Sequence, residues 1–122
     1  QRTSGQRMRF ALSLLAWELQ EQSKYDEAEP LFREALEVAR ETRGYRHPNT
    51  LASIGNLGLL LKDKGDLAAA ELLYREVLEV RRQTLGAYHP DTLASINNLA
   101  LLMQKARSAS TTSAIGSSRR RN

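Results

Sequence analysis

The two histidines are the first residues to consider as catalytic or metal-binding groups. His47 and His89 each precede a proline, and each occupies the same place in a repeated segment. A zinc site needs further ligands in register, such as a second histidine four positions along a helix. Neither histidine has such a neighbour, and the chain has no cysteine to supply a thiolate. We therefore interpret both as residues of a repeated connector, and we predict no metal and no cofactor.

Paired carboxylates are the other candidates, as a general acid and base. Asp26 with Glu27, and Glu34 with Glu37, lie on the charged side of predicted amphipathic helices, where solvated carboxylates are normal. The glycines do not occur in a phosphate-binding loop, and no serine nucleophile motif is present. We predict no catalytic residue and no enzyme activity.

The chain is organised by a segment that occurs twice. Most of residues 27–60 returns 42 residues later, so that His47-Pro48 becomes His89-Pro90. Residues 50–54 return unchanged as residues 92–96. A constant period between about 20 and 50 residues is the signature of stacked repeats.

Apolar residues recur at helical spacing in five segments, the first of which begins near Phe10. Gly44, Gly65 and Gly86 stand where helices are expected to end, and Asn49 or Thr50 is expected to cap the third helix. The predicted fold is all-α, an α-solenoid of antiparallel helix pairs with five helices and a disordered C-terminal tail. The predicted segments are a frayed N-terminus (1–7), the array (8–105, divided into 8–48, 49–90 and a half repeat 91–105) and the tail (106–122).

Charge is divided unevenly along the chain. The net charge is +4, but eight basic residues and no acidic ones lie in the two flanks, taken as residues 1–9 and 105–122. The repeat body holds the other ten basic residues and all 14 acidic ones, a net charge of −4. Nucleic acid is therefore not the expected partner. Arg119–Arg121 could contact phosphate or anionic lipid, or form a solvated end.

No part of the sequence predicts membrane insertion. The longest apolar run, residues 57–61, is far shorter than the roughly 20 residues that cross a bilayer. The chain starts at Gln1 without a secretion-signal pattern. We therefore expect a fragment, or a processed or mispredicted chain, of an intracellular protein.

The helix pairs resemble the tetratricopeptide repeat. The signature places of that family fall, in the second copy, on Ile54, Leu57, Gly58, Leu61, Leu67, Ala70, Tyr74 and Val77. In the first copy they fall on Leu12, Leu15, Ala16, Leu19, Tyr25, Ala28, Phe32 and Ala35. The third copy keeps only Ile96, Leu99, Ala100 and Met103. Leucine or isoleucine replaces the usual tryptophan, and arginine replaces the closing proline.

The period of 42 residues, rather than about 34, makes the repeats similar to those of kinesin light chain. The sequences of residues 74–81 and 95–102 are close to those of that family's repeats, and the resemblance covers roughly residues 8–105. It implies a groove that takes short acidic peptides of cargo adaptors. It also implies kinesin heavy chain as a partner, and a cytoplasmic, microtubule-associated location.

The first helices of stacked pairs line the concave side of such an array. We predict a peptide-binding groove there, made by Lys62, Asn98, Lys105, Asn56, Asn97, Trp17, Leu59 and Leu101. Ser13, Gln20 and Gly55 are expected on the same surface. Lysines would favour an acidic ligand, and asparagines can pair with a peptide backbone. Two alternatives stay open: the asparagines bond neighbouring helices, or Trp17 packs against a preceding repeat.

The sequence thus predicts a non-catalytic protein–protein interaction scaffold. The alternative is a sensor or assembly region of a larger, NTPase-linked signalling protein, and the flanking sequence would separate the two. The helix at residues 91–105 has no following helix to cover it, so we also expect exposed apolar surface and weak self-association or fraying there.

Overall fold

The computed structural model describes residues 2–121, with side chains for residues 4–110. The chain forms five helices, each packed mainly against the next. They are α1 (Arg2–Glu21), α2 (Tyr25–Arg43), α3 (Pro48–Lys64), α4 (Leu67–Leu85) and α5 (Pro90–Arg121). Short connections make neighbouring helices antiparallel. The predicted α-solenoid is confirmed, with α1–α2 and α3–α4 as two pairs and α5 as the first helix of a third.

Small residues allow the helices of each pair to approach closely. Ala16, Ala28 and Ala70 are completely buried. At Gly58 even a methyl group would not fit, since a Cβ there would lie 2.7 Å from Cε1 of Tyr74. Larger apolar side chains fill the rest of the core, and Phe32 is one of them.

A left-handed residue ends the first helix of each complete pair. Gly65 follows α3 with φ of 97°, and its N–H donates to the carbonyls of Leu61 and Lys62. Ser23, 42 residues earlier, follows the turn after α1 with φ of 61°. Because these residues reverse the chain, the second helix of the pair can return along the first.

The third copy has no such turn. Its equivalent residue is Arg107, and a bulky L side chain disfavours the left-handed conformation. Helix α5 continues through this position. The structure therefore differs from the predicted disordered tail (106–122), because residues 106–110 are helical and mostly exposed. From residue 111 on, that prediction concerns residues outside the part of the chain with described side chains.

The front of the chain also differs from the expectation of fraying at residues 1–7. Helix α1 begins at Arg2. Gly5 lies close to the end of α2, since a Cβ there would lie 2.5 Å from Cγ2 of Thr42. This contact places the first turns of α1 against its partner helix. Residue 1 lies outside the described part of the chain.

Histidine side chains cap α3 and α5. Nδ1 of His47 accepts a hydrogen bond from the backbone N–H of Asn49 at 3.0 Å, and His89 accepts the equivalent bond, also at 3.0 Å. The expected cap by Asn49 or Thr50 is wrong, because the Thr50 hydroxyl instead donates to the Gly44 carbonyl at 2.6 Å. The interpretation of both histidines as connector residues is confirmed.

Helix α5 has an apolar face with no helix against it in the described structure. Leu93, Ile96 and Met103 are 46%, 39% and 44% exposed. Their equivalents in α3, which α4 covers, are almost fully buried. The predicted apolar surface on α5 is therefore present, and its self-association stays a prediction.

Candidate functional site

Two adjoining cavities lie between α3 and α5, and α4 supplies their floor. The larger has a volume of about 360 Å³ and the smaller about 210 Å³. Lys62, Tyr74 and Asn98 line both. The two cavities therefore form one continuous depression, which we call the α3–α5 groove.

Six of the eight predicted binding residues line this groove. They are Lys62, Asn98, Lys105, Asn56, Leu59 and Leu101. Asn97 is exposed but lines neither cavity, and Trp17 lies on α1 away from both. The structure brings most of the predicted set together, and its role in binding stays a prediction.

The asparagines of the groove have free side-chain amides. Within residues 4–110, neither Asn56 nor Asn98 makes a side-chain hydrogen bond to another helix. This arrangement favours the ligand-facing interpretation over bonding between helices. An amide with both a donor and an acceptor can pair with the N–H and the C=O of an extended peptide.

Arg81 lines the groove and was missed by the sequence reasoning. Its Nη1 donates to Oγ of Ser95 at 2.7 Å and to the carbonyl of Asp91 at 3.3 Å. The equivalent residue in the first copy is Ala39, which is completely buried. The signal was available, because Ala39 and Arg81 are a mismatch inside an otherwise repeated block of sequence.

Tyr74 forms part of the groove floor and was predicted only as a packing residue. Its ring lies directly over Gly58, where the missing side chain leaves room for it. Burial, together with the nearby negative charge of Asp63, raises the pKa of Tyr74 above its ordinary value. The phenol of this lining residue therefore stays neutral.

The groove is basic although the repeat body is acidic. Lys62 and Arg81 line the larger cavity, and Lys62 and Lys105 line the smaller. No acidic side chain lines either cavity among the described residues. Since opposite charges attract across a low-dielectric cleft, this surface favours an anionic ligand.

The α1 end of the concave side differs from the prediction. Ser13 and Gln20 are buried rather than facing the groove. Nε2 of Gln20 donates to Oδ2 of Asp63 at 2.8 Å, which ties α1 to α3. Gly55, the equivalent of Ser13, does line the larger cavity.

Trp17 packs within its own helix pair. Its ring meets Phe32 edge-on at 5.8 Å between centroids, and 36% of its surface stays exposed. Leu14 and Phe10 lie about one and two turns before it on α1 and are also exposed. The concave side is therefore apolar at α1 and polar and basic between α3 and α5.

The remaining charged candidates have structural partners. Lys64 pairs with Asp26 at 2.8 Å and with Glu29 at 2.9 Å, which joins α3 to the start of α2. The hydrogen bond from Lys64 lowers the pKa of Glu29 below its ordinary value. Glu37 approaches Arg40 at 4.0 Å on the exposed side of α2. These carboxylates do not converge on a cavity.

Other predicted features can be placed only for the described residues. Among them, no three histidines or carboxylates lie close enough to hold a metal ion. No helix in this part of the chain is long and apolar enough to cross a bilayer. The side chains of Arg119–Arg121 lie outside the described residues.

A family model described as Tetratricopeptide repeat matches residues 10–83 and 57–110. The matches together cover well over half of the chain. A comparison with curated proteins gives no significant match.

Solved structures with the same architecture include kinesin light chain nearly identical TPR-like repeats from Podosopora anserina. Their sequence identity is 28% and the TM-score is 0.73, over 85% of this chain and 49% of that one. A variant of the same repeats has a TM-score of 0.72 at 28% identity, over 84% of this chain and 49% of that chain.

BtubC (BKLC) from P. vanneervenii has a TM-score of 0.72 at 22% identity, over 84% of this chain and 40% of that one. At that identity the likeness concerns the fold alone. This chain spans half or less of the length of these neighbours. From the family match and the stacked helix pairs, the chain belongs to the tetratricopeptide repeat family, and its repeats are similar to those of kinesin light chain.

Proposed function

We propose that this chain is a non-catalytic scaffold that binds an acidic peptide segment of a partner protein in the α3–α5 groove. One observation carries the proposal: the groove gathers Lys62, Arg81 and Lys105, and none of the lining residues that the structure describes is acidic. The body around it is negative overall. A basic groove on an acidic body selects for local negative charge rather than for polyanions in general.

The groove suits an extended peptide. Asn56 of α3 and Asn98 of α5 both line the larger cavity. Their amides can hold a peptide backbone in register, as the edge of a sheet would. Leu59 and Leu101 add apolar contact along the same surface.

The apolar α1 end suggests the other half of the ligand. Phe10, Leu14 and Trp17 are exposed on α1, and Leu59, the equivalent of Trp17 in α3, lines the groove. Side chains that follow the acidic residues of a bound peptide would lie on this surface. The ligand is therefore expected to combine acidic residues with one or more large apolar ones.

The similarity to kinesin light chain repeats suggests what kind of partner carries this peptide. We propose a cargo-adaptor segment, with kinesin heavy chain as a further partner. Such partners would place the protein in the cytoplasm, near microtubules.

The test is binding of fluorescent peptides followed by anisotropy. Peptides that combine acidic and large apolar residues are expected to bind, and versions with lysine in place of the acids are not. Lys62→Glu should weaken binding at least tenfold, because it places a like charge against the ligand. Asn98→Ala should weaken binding about two- to tenfold, which is the loss of affinity expected when one net hydrogen bond is removed.

Two matched variants serve as controls. Lys24→Glu makes the same charge change outside the groove, and Asn97→Ala makes the same truncation one residue away, where no cavity is lined. Both should bind like the unchanged protein. Equal losses of peptide affinity for Lys62→Glu and Lys24→Glu would mean that binding depends only on the net charge of the protein. The assignment of the binding site to the groove would then be wrong.

A further inference from the structure

The first helices of successive repeats contact each other through different residue types at the two equivalent places in the array. Between α1 and α3, the Gln20 amide donates to the Asp63 carboxylate at 2.8 Å. Adding the 42-residue period to both positions gives Lys62 and Lys105 between α3 and α5. A neutral donor with an anionic acceptor is thus replaced by two cations at the equivalent place.

The two lysines share a confined space. Both line the smaller cavity, of about 210 Å³, together with Asn98 and Tyr74. No carboxylate among the described lining residues neutralises them. Like charges that meet in this way destabilise the contact between the elements that carry them.

This contact matters because α5 is held from one side. Its buried residues, Thr92, Ser95, Leu99 and Leu102, lie on the face toward α4. The opposite face has no helix against it in the described structure, as Leu93 and Ile96 illustrate. Among the described residues, no hydrogen bond joins α3 to α5 as the Gln20–Asp63 bond joins α1 to α3.

We propose that a carboxylate of the bound acidic peptide sits between Lys62 and Lys105 and completes the missing tie between α3 and α5. This inference rests on the proposed function, since the anion belongs to the peptide ligand. Peptide binding and the docking of α5 are then coupled. The ligand stabilises the last helix, and any change that docks α5 without an anion removes part of the binding energy.

The decisive variant is Lys62→Gln with Lys105→Asp, which recreates the glutamine–aspartate pair of the first step. Without ligand, it should unfold about 2 °C higher than the unchanged protein, because a hydrogen-bonded pair replaces two like charges. It should bind the acidic peptide at least tenfold more weakly. Stability and binding therefore move in opposite directions.

Inorganic phosphate probes the anion site without any peptide. At constant ionic strength, replacing chloride by phosphate should raise the unfolding temperature of the unchanged protein more than that of the double variant. Hydrogen exchange should slow in residues 90–105 on adding phosphate or peptide, while α2 serves as the internal reference. Circular dichroism checks that the double variant keeps its helices.

The outcomes separate this inference from the proposed function. Phosphate could raise the unfolding temperature of the unchanged protein more than that of the double variant while no acidic peptide binds to either. That result would support the anion site and contradict the peptide-binding role. Peptide binding that is unchanged in the double variant would keep a peptide-binding role and overturn the coupling. A double variant that is no more stable than the unchanged protein, with equal phosphate effects on both, would also overturn it.

Discussion

Two glycines inside α3 provide a direct test of how closely the helices are packed. Gly55 and Gly58 lie three residues apart in one helix, so an alanine at either position brings the same gain in helix propensity, about 0.5–1 kcal/mol. Their surroundings differ. Within the described structure, a Cβ at Gly55 would meet nothing within 4 Å, whereas one at Gly58 would lie 2.7 Å and 2.9 Å from the Tyr74 ring.

The expected effects follow from this difference. Gly55→Ala should raise the free energy of unfolding by up to about 1 kcal/mol. In Gly58→Ala the same gain is opposed by the displacement of Tyr74, and forcing an extra methyl group into a filled core costs about 1–3 kcal/mol. Because the propensity term cancels, Gly58→Ala should be about 1–3 kcal/mol less stable than Gly55→Ala.

Urea unfolding followed by circular dichroism measures both variants on one scale. The slope with urea should stay the same, so that the difference in midpoint reports stability. In thermal unfolding the two variants should differ by at least about 4 °C, given the size of the chain. A difference below about 0.5 kcal/mol would refute the close contact between Gly58 and Tyr74, and with it the position of the groove floor.

Three further predictions concern the ends and the surface of the array. His47→Ala should lower the free energy of unfolding by about 0.5–2 kcal/mol through loss of the cap, while His47→Asn, which can still accept the bond, should not; equal losses would contradict the cap. Because Lys64 lowers the pKa of Glu29, the stability from this pair is present above pH 4.5 and is lost as the pH falls below it. Glu29→Gln should therefore reduce the loss of unfolding free energy between about pH 5 and pH 3, by less than about 1 kcal/mol, and an unchanged profile would contradict this. Sedimentation should show concentration-dependent association that Ile96→Glu removes; a monomer at all concentrations would mean that the apolar face of α5 does not self-associate.

The 42-residue period made most of the fold predictable. It placed five helices and their connectors, because apolar spacing, glycines and the His-Pro pairs all recurred in phase. The period gave less information about the two ends of the array, where the repeated sequence stops. Continuation of α5 beyond residue 105 depends on the absence of a left-handed residue at Arg107, and the start of α1 depends on a tertiary contact of Gly5.

The groove residues were predictable where the apolar stripes of both copies define the same helix face. Lys62, Asn56 and Asn98 followed from counting outward from the apolar stripe, and they line the cavities. Burial of Gln20 was not predictable, since it depends on Asp63 from another helix. Arg81 enters from the second helix of the pair, which the rule about first helices excludes.

The central claim is that an acidic peptide lies between α3 and α5. Nuclear magnetic resonance titration with such a peptide tests this claim residue by residue. The largest chemical-shift changes are expected at the side-chain amides of Asn56 and Asn98 and at the backbone around Lys62 and Lys105. Changes confined to the outer faces of α2 and α4, with the asparagine amides unmoved, would contradict it.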